Sequence, residues 1–596
     1  MNYLYHISPR STSVCLLLLL LCVALPANAQ FVHSLGGTSF DLGVEVEMDK
    51  AGNAYFVGNF RDTLDFDPGA GQRFLANNNT DAFVASYDPL GTMRFAFSIS
   101  GPFASHESVG DIAVAPDGFF VITGHQPFGY LDFDPDPMGE LGTSGNFFIA
   151  GYNSNGEVQF AVSPAGGENT SNGNGYAVTL DEDDNVYVTG HYVTALDFNP
   201  ADTTGVLANN GNSDVFIASY TKTGAYRYAY GFGGPSLDYG AGIAVDSQKN
   251  VYVAGFFVGE VAFDPEDKDG DGDTEIRVAE SLSDMYLVSY DDAGRFRFVY
   301  TYDTANRIVI ERKVELGIDA ADNIYMSGES VGVVAYDPED ADGDGDLVQR
   351  SADALGSAFL ASYKPTGELR FANVFKGGTS ESKDVFTDKD GVSFITGSHI
   401  GEVDFDPGLD TAIISSTSGS DVFVASYDSL GAFRTMFSLP STGLSGGHGV
   451  AFDSLYNVVL TGGFGGELDV DYSTGEDIRF GAGQNDIFMA RFSSGGQVSV
   501  STESVASLPS GFTVSAPYPN PFASRVNMQL DVASSQHVAV EVYDLLGRQV
   551  ASLHNAVLPA GKHNMTWDGA GAVNGVYFIR IVSGATQHTE RAVLMR

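Results

Sequence analysis

One phrase recurs seven times along this chain, and the repetition limits the possible fold more than any other feature of the sequence. The phrase NAYFVGNF, which begins at Asn53, returns as NVYVTGHY at Asn185, NVYVAGFF at Asn250 and NIYMSGES at Asn323, and weaker copies contain ITGHQ, ITGSH and LTGGF. The glycines of the seven copies are Gly58, Gly124, Gly190, Gly255, Gly328, Gly397 and Gly462, at spacings of 66, 66, 65, 73, 69 and 65 residues. This regular period predicts an array of one structural unit.

Each unit has the pattern of four short strands. An alternating run such as GIAVD at Gly242 leads through a turn to the VYVTG strand, then to an LDFDP segment, to a third strand such as DVFIASYT at Asp214, and to a fourth such as YRYAYGFGG at Tyr226. One such sheet cannot bury both faces, whereas seven sheets packed radially can. The predicted fold class is therefore all-β: a seven-bladed β-propeller over residues 30–500, followed by a small Ig-like β-sandwich. A β-solenoid is the alternative, although solenoid coils are usually much shorter than these units.

The repeats also resemble a known family. The pattern GIAVD, NVYVTG and DAFVASYD resembles the repeats of bacterial β-propeller proteins and is similar to NHL-type propeller repeats, over roughly residues 31–500. The resemblance implies the fold and says little about function, because propellers host enzymes, receptors and scaffolds alike. The seven repeats are predicted near residues 43–101, 110–167, 175–234, 240–303, 312–378, 383–441 and 447–500. The aromatic residues expected to pack between blades are Tyr87, Tyr152, Tyr220, Tyr290, Tyr363, Tyr427 and Phe492.

Two segments compete to complete the last blade. QFVHSLGG from Gln30 matches a fourth strand such as LRFANVFKGG at Leu369, and QVSVS from Gln497 directly follows the seventh copy. Only one of them can take the outer position of this blade, and the sequence leaves both open.

Acidic pairs recur in the DFDP segments, which the strand order places at the same rim as the connections between blades. The pairs are Asp65/Asp67, Asp132/Asp134, Asp197/Asn199, Asp404/Asp406 and Asp469/Asp471, whereas Ala262 and Ala335 replace the first member in the fourth and fifth repeats. One interpretation is that these side chains end a strand and cap a turn, which the following proline supports. The other is a ring of carboxylates that binds a cation or a ligand.

Two Asp-rich insertions follow this segment in the fourth and fifth repeats, PEDKDGDGDTE at Pro265 and PEDADGDGD at Pro338. Alternating Asp with Gly at the sixth position offers hard oxygens around a sharp turn, which is what calcium requires. The predicted cofactor is therefore calcium, and the predicted ligands are Asp267, Asp269, Asp271, Asp273 and Glu275 in the first loop and Asp340, Asp342, Asp344 and Asp346 in the second. The loops resemble the first half of an EF-hand or dockerin-type loop, but Val278 and Ser351 stand where the bidentate Glu is expected. A solvated acidic turn is the alternative.

The sequence offers no clear catalytic group, and none is predicted. His125, His191 and His399 follow the repeat glycine in register or nearly so, and three histidines at a rim are a weak candidate for a metal site. No HExxH, P-loop or sialidase-like box occurs. Whether the chain is an enzyme stays uncertain, and the alternative function is an extracellular hydrolase acting on polysaccharide or peptide.

Residues 1–29 have the pattern of a secretory signal peptide. Arg10 lies in a polar leader, an apolar run follows, and ANA precedes a predicted cleavage site before Gln30. Cys22 would suit a lipoprotein, but Leu21 stands where a small residue is expected. Both cysteines fall in this segment, so no disulfide is expected in the mature chain. A net charge of −46 argues against nucleic-acid binding, and no further segment is apolar enough to span a membrane.

After a linker at 501–511, residues 512–596 show short alternating strands between Gly and Pro turns, as in an Ig-like sandwich. This segment resembles the type A sorting domain of the type IX (Por) secretion system of Bacteroidota. The matching residues are Pro519, Asn520, Pro521, Phe522, Asp544, Gly547, Arg548, Gly561, Trp567, Asp568, Gly575, Tyr577 and Arg580. The resemblance implies that the secretion machinery is a partner, that the chain is exported through the outer membrane, and that it is released or anchored at the surface.

These features together predict a secreted or cell-surface protein. Its function is expected to be non-catalytic, as a binding or scaffold module for a glycan or protein ligand, with calcium ordering two loops. A monomer is expected.

Overall fold

The computed structural model describes residues 29–493 and 512–596, apart from short gaps. The gaps are residues 68–70, 102–106, 127–129, 137–140, 146, 167–172, 304–312, 339–346, 409, 417, 473–475, 515–516, 518–521, 523, 533–534, 545–547, 574 and 584–585. The predicted signal peptide, apart from Ala29, therefore lies outside the described residues. The chain divides into two compact units, Met1–Val500 and Ser501–Arg596.

The first unit contains seven four-stranded antiparallel sheets among its described residues, which are numbered here as blades 1 to 7. From the innermost to the outermost strand they are Leu42–Met48, Ala54–Asp65, Phe74–Tyr87 and Met93–Ile99 in blade 1; Ser108–Val114, Phe120–His125, Phe147–Tyr152 and Val158–Val162 in blade 2; Gly173–Leu180, Val186–Tyr192, Asp214–Tyr220 and Tyr226–Phe232 in blade 3; Asp238–Val245, Val251–Phe257, Asp284–Tyr290 and Phe296–Asp303 in blade 4; Glu315–Ile318, Ile324–Ser330, Ser357–Tyr363 and Leu369–Val374 in blade 5; Thr379–Thr387, Ser393–Ile400, Asp421–Tyr427 and Phe433–Leu439 in blade 6; and Ser445–Phe452, Val458–Phe464, Asp486–Phe492 and Ala29–Leu35 in blade 7.

The innermost strands form a closed cycle. Each contacts the innermost strand of the next blade, and that of blade 7 contacts that of blade 1. This arrangement confirms the predicted all-β propeller, and the described residues contain no helix. Accordingly, no helix among them is long and apolar enough to cross a membrane.

The N-terminal strand closes the ring. Ala29–Leu35 pairs antiparallel with Asp486–Phe492 and takes the outer position of blade 7, with Val32 opposite Ala490. Of the two candidates for this position, the segment from Gln30 is thus the one the structure uses. The competing segment from Gln497 lies outside the described residues.

The middle strands of each blade are buried on both faces, because each sheet packs against a neighbour on either side. Every residue of Asp421–Tyr427 is buried, and the same holds for the third strand of blades 2, 3, 4, 5 and 7. This close packing explains why glycine recurs at one position of every repeat. A Cβ on Gly58 would lie 2.2 Å from the Leu42 carbonyl oxygen and 2.6 Å from the Phe83 ring. The most regular motif of the sequence is therefore a packing requirement.

One rim carries a repeated polar tie between blades. In blade 5, Asp319 accepts hydrogen bonds from Asn323 and from the Tyr325 hydroxyl. Arg370 lies over the Tyr325 ring and donates to its hydroxyl and, at 2.6 Å, to the Ser429 carbonyl of blade 6. Arg94 and Arg297 make the corresponding contacts to the blades that follow theirs. This rim carries the turns between strands one and two and between strands three and four.

The second unit is a β-sandwich. One sheet contains Phe512–Val514, Arg525–Val532 and Gly561–Asp568, and the other contains Gln549–Leu558, Gln536–Asp544, Gly575–Ser583 and Thr586–Leu594. The two sheets share a core in which Trp567 packs edge-on against Phe522 and Tyr577, with ring centroids 5.3 and 4.7 Å apart. The predicted sandwich is thus present.

Candidate metal centre

The DFDP segments form short hairpins at the rim opposite the arginine ties, between strands two and three of each blade. In blade 1 the hairpin extends the long strands Ala54–Asp65 and Phe74–Tyr87. In the other blades it is a separate two-stranded sheet: Tyr130–Asp132 with Gly142–Ser144, Leu196–Asp197 with Val206–Leu207, Glu260–Ala262 with Ile276–Val278, Val333–Ala335 with Gln349–Ser351, Glu402–Asp404 with Ile413–Ser415, and Glu467–Asp469 with Ile478–Phe480. Connections from the preceding blade bridge to these hairpins, for example Lys376 to Asp404. These seven hairpins are called the rim hairpins below.

The first Asp of each acidic pair holds its own rim hairpin together. Asp65 Oδ1 accepts hydrogen bonds from the amides of Asp67 and Arg73 at 3.1 and 2.8 Å. Asp404 Oδ1 accepts them from Asp406 and Ala412 at 3.1 and 2.8 Å. Asp132, Asp197 and Asp469 cap their turns in the same way. The recurrence of these carboxylates therefore has a structural cause, as in the turn-capping interpretation of the sequence.

A buried tyrosine anchors the rim hairpin to its blade in blades 1 to 6, whereas Phe492 holds this position in blade 7. The tyrosine hydroxyl donates to the carbonyl of the residue between the two acidic positions, as from Tyr290 to Phe263 at 2.6 Å. The other five pairs are Tyr87 with Phe66, Tyr152 with Phe133, Tyr220 with Phe198, Tyr363 with Tyr336 and Tyr427 with Phe405. Burial raises the pKa of Tyr290 well above its ordinary value, and Tyr286 and Asp264 raise it further. The hydroxyl therefore remains a donor at any moderate pH.

The rim hairpin of blade 4 differs because the Asp-rich insertion extends it. Ala262 replaces the first Asp, so the turn depends on Asp264, which is 3% exposed. The Asp264 carboxylate accepts hydrogen bonds from the amides of Lys268 at 3.1 Å and Asp269 at 3.4 Å. These contacts fold the insertion back over the buried carboxylate.

Three carboxylates meet at this point. Asp264, Asp267 and Asp269 each offer an oxygen, and these oxygens lie within 4.8 Å of one another. Oxygens that share a Ca²⁺ at about 2.4 Å are at most about 4.8 Å apart, so this spacing matches one ion. The donors are all hard anionic oxygens, which suits calcium, and main-chain carbonyls or water would complete its shell.

The backbone of the loop is shaped for this arrangement. Asp267 Oδ1 accepts a hydrogen bond from the Gly272 amide at 3.0 Å, and Asp267 itself has a φ of 47°. Gly270 and Gly272 also have positive φ, at 79° and 90°, which glycine adopts without a steric cost. Lys268, the neighbouring cation, pairs with Glu266 at 3.2 Å and lies over the Tyr230 ring.

The remaining predicted ligands lie outside this group of three. Asp271 accepts a hydrogen bond from the Asp273 amide, and Asp273 accepts one from the Glu275 amide. Glu275 pairs with Arg277 at 3.1 Å. The structure thus brings together two of the five residues predicted in this loop and adds Asp264. The calcium pattern in the sequence begins at Asp267 and leaves out Asp264, although both belong to one continuous acidic segment.

The second predicted loop lies outside the described residues, and Asp340, Asp342, Asp344 and Asp346 with it. Asp337, which corresponds to Asp264 in blade 5, is 1% exposed. The histidines do not form a described metal group. His125 contacts the Gly173 carbonyl at 3.2 Å, and His399 contacts Ser438 at 3.1 Å. Burial lowers the pKa of His191 to about 4, with a smaller effect from His125.

The C-terminal unit carries the clearest relationship to known proteins. Residues 516–595 match the family described as the secretion system C-terminal sorting domain. This unit is a type IX secretion sorting domain. It marks the chain for export, and the protein is secreted or held at the cell surface.

The motif residues of the sorting domain have several structural roles. Phe522 and Tyr577 pack on Trp567 in the core, and the Tyr577 hydroxyl donates to the Val573 carbonyl at 2.7 Å. Arg548 is exposed, and Gly575 begins a strand that includes Arg580. Asp544 ends the strand Gln536–Asp544. Pro519, Asn520, Pro521 and Gly547 lie outside the described residues.

Other similarities are distant. An uncharacterized WD repeat-containing protein of Acanthamoeba polyphaga mimivirus is 25% identical over 278 residues, which cover 43% of this chain and 18% of that protein. PorZ, a surface component of the type IX secretion system of Porphyromonas gingivalis, is 10% identical with a TM-score of 0.18, over 95% of this chain and 100% of that one. An arabinoxylan arabinofuranohydrolase of Bacillus subtilis is 10% identical with a TM-score of 0.29, over 94% and 96%. The chain thus spans less than a fifth of the viral relative, and similarities this weak carry no functional conclusion.

Proposed function

We propose that this protein is a non-catalytic binding or scaffold module, exported by type IX secretion, whose blade 4 rim hairpin is ordered by calcium. The observation that carries the proposal is the convergence of the Asp264, Asp267 and Asp269 carboxylates on one point. Three like charges this close repel one another unless a cation lies between them. Outside the cell calcium is available at concentrations that fill weak sites.

The rest of the acidic residues at this rim support a structural role. The first carboxylate of each regular pair accepts hydrogen bonds from amides of its own hairpin, as at Asp65 and Asp469. Carboxylates that already accept hydrogen bonds from backbone amides are poor general acids or bases. These carboxylates therefore do not support the alternative of a hydrolase, and the proposed ligand class of the binding module is a glycan or a surface protein.

The test of the metal site is a calorimetric calcium titration of the full chain. We expect a weak site in blade 4 with a dissociation constant of about 0.1–1 mM, the range of extracellular modules. Asp264→Asn and Asp269→Asn are each expected to remove the heat of this site. The matched control is Asp406→Asn, because Asp406 holds the position of Asp264 in blade 6, where no Asp-rich insertion follows. No heat with the wild-type chain, or equal heats in all variants, would contradict the metal site.

The binding role is tested separately, by retention of the chain on immobilised glycans and on cell-surface protein extracts, with calcium or EDTA. A binding module leaves these ligands intact. Release of reducing sugar or of peptides, lost in a variant of one acidic residue, would instead support a hydrolase.

A further inference from the structure

Four carboxylates occupy one register position around the inside of the ring. The position lies opposite the residue that directly precedes the repeat glycine of each second strand. It is filled by Glu45, Asp111, Glu315 and Asp384 in blades 1, 2, 5 and 6, and by Ala177, Gly242 and Gly449 in blades 3, 4 and 7. The charged side chains therefore belong to innermost strands and not to the rim hairpins.

A lysine crosses the ring to reach them. Lys313 Nζ lies 3.0 Å from Glu45 Oε2 and 3.6 Å from Glu315 Oε1. Lys313 precedes the innermost strand of blade 5, whereas Glu45 belongs to blade 1. Blades 1 and 5 are not neighbours in the cycle of innermost strands, so this ion pair spans the centre of the ring.

Two of the other carboxylates join adjacent blades. Asp111 Oδ2 accepts a hydrogen bond from the Val178 amide of blade 3 at 2.8 Å, and Asp384 Oδ2 accepts one from the Val450 amide of blade 7 at 2.6 Å. Gly449 leaves room for Glu45, because a Cβ there would lie 2.3 Å from Glu45 Oε1. The cluster thus connects innermost strands from most of the ring.

The cluster has more acids than bases. Glu47 of blade 1 adds a fifth carboxyl. Burial is the main cause that raises the pKa of Glu47, and Asp111 and Asp384 raise it further. On the innermost strand of blade 6, Lys383 pairs with Glu381 at 2.9 Å. In blade 7, burial lowers the pKa of His448 well below its ordinary value, and Lys383 and Lys313 lower it further. The His448 imidazole is therefore neutral.

The acids therefore retain protons at unusually high pH. Burial is the main cause, and it raises the pKa of Glu45, Glu315 and Asp384 above their ordinary values and that of Asp111 to about 6. Asp384 raises the pKa of Glu45 further, whereas Lys313 lowers it. Like charges this close do not all ionise together.

We propose that the cluster of Lys313, Glu45, Asp111, Glu315 and Asp384 is a pH-sensitive latch at the centre of the propeller, which holds the innermost strands together while its carboxyls share protons and loosens when they all ionise. The sign follows from linkage. A carboxyl whose folded pKa is raised stabilises the fold fully below its unfolded pKa of about 4, and loses that contribution as the pH rises through the folded value. The latch therefore holds fully below about pH 4 and weakens as the pH rises through the folded pKa of each carboxyl, which is about 6 for Asp111.

The experiment is the melting temperature of the full chain between pH 5 and pH 9, at fixed ionic strength and with EDTA so that the calcium loop does not contribute. We expect the wild-type melting temperature to fall across this range. Glu45→Gln and Asp384→Asn mimic the protonated side chains, and each is expected to reduce the fall by about half. Glu402→Gln, at an exposed position of blade 6, is expected to leave the fall unchanged. Equal falls in all four proteins overturn the proposal.

Two further measurements keep the test decisive if those variants do not fold. Lys313→Met leaves the acids without their cation, so its loss of stability is expected to be large at pH 8 and small at pH 5, and an equal loss at both overturns the latch. In the wild-type chain, hydrogen exchange corrected for its intrinsic pH dependence is expected to accelerate at pH 9 in Leu42–Met48 and Glu315–Ile318 before it does in Met93–Ile99. Uniform acceleration of all three strands also overturns it.

Discussion

The tyrosine that anchors the rim hairpin in blades 1 to 6 gives the most quantitative prediction about the fold. In Tyr220→Phe the ring stays in place and only the hydroxyl is lost. That hydroxyl donates to the Phe198 carbonyl at 2.9 Å, and both residues are buried. A buried hydrogen bond contributes about 0.5–1.5 kcal/mol, and leaving its acceptor unpaired costs about 1–3 kcal/mol. We therefore expect the free energy of unfolding to fall by about 1–3 kcal/mol.

The shift in melting temperature follows from the size of the unit. An unfolding entropy of about 2.1 cal/mol/K per residue over roughly 460 residues gives about 1 kcal/mol/K, so the melting temperature should fall by about 1–3 °C. Differential scanning calorimetry of the two proteins measures this shift. Tyr226→Phe, which removes a hydroxyl from a partly exposed tyrosine of the same blade, is the matched control and should shift less. A wild-type melting temperature for Tyr220→Phe, or an equal shift in both variants, would refute this reasoning.

Three further predictions concern the blade ties and export. Arg370→Ala removes the donor to the Ser429 carbonyl of the next blade and should lower the free energy of unfolding, measured by urea denaturation, by about 2 kcal/mol. Arg434→Ala, at the corresponding but exposed position of blade 6, should lower it less. Equal losses in the two variants would contradict the polar tie between blades. Deletion of residues 516–595 should leave the chain inside the cell, as measured by fractionation, and undiminished export would contradict the sorting role. Trp567→Ala empties the sandwich core at a cost of about 3–5 kcal/mol and should reduce export, while melting of the propeller stays unchanged.

The repeat explains why so much of the fold could be predicted from the sequence. Seven copies of an alternating pattern specify strands, turns and their order, and the buried tyrosines share one register position. Closure of the ring could not be predicted, because the segments from Gln30 and Gln497 both have a strand pattern. The choice depends on pairing with Asp486–Phe492, which lies more than 450 residues from Ala29 along the chain.

The candidate sites show where sequence patterns mislead. In the sequence Asp264 precedes the calcium pattern, which begins three residues later at Asp267, and only the fold of the loop brings Asp264 to Asp267 and Asp269. The central carboxylates were missed for another reason. At their register position four blades have an acid and three have Ala or Gly, and a charged residue in an alternating strand suggests a solvent-facing position. A comparison of the seven copies at that one position would have shown the four acids.

The claim that calcium orders the blade 4 loop is tested most directly by hydrogen exchange of the full chain in calcium and in EDTA. Calcium is expected to slow exchange in residues 264–278 and to leave exchange in the rim hairpin of blade 6, residues 402–415, unchanged as an internal reference. Asp264→Asn should remove the effect. Equal exchange of residues 264–278 in calcium and EDTA would contradict the account.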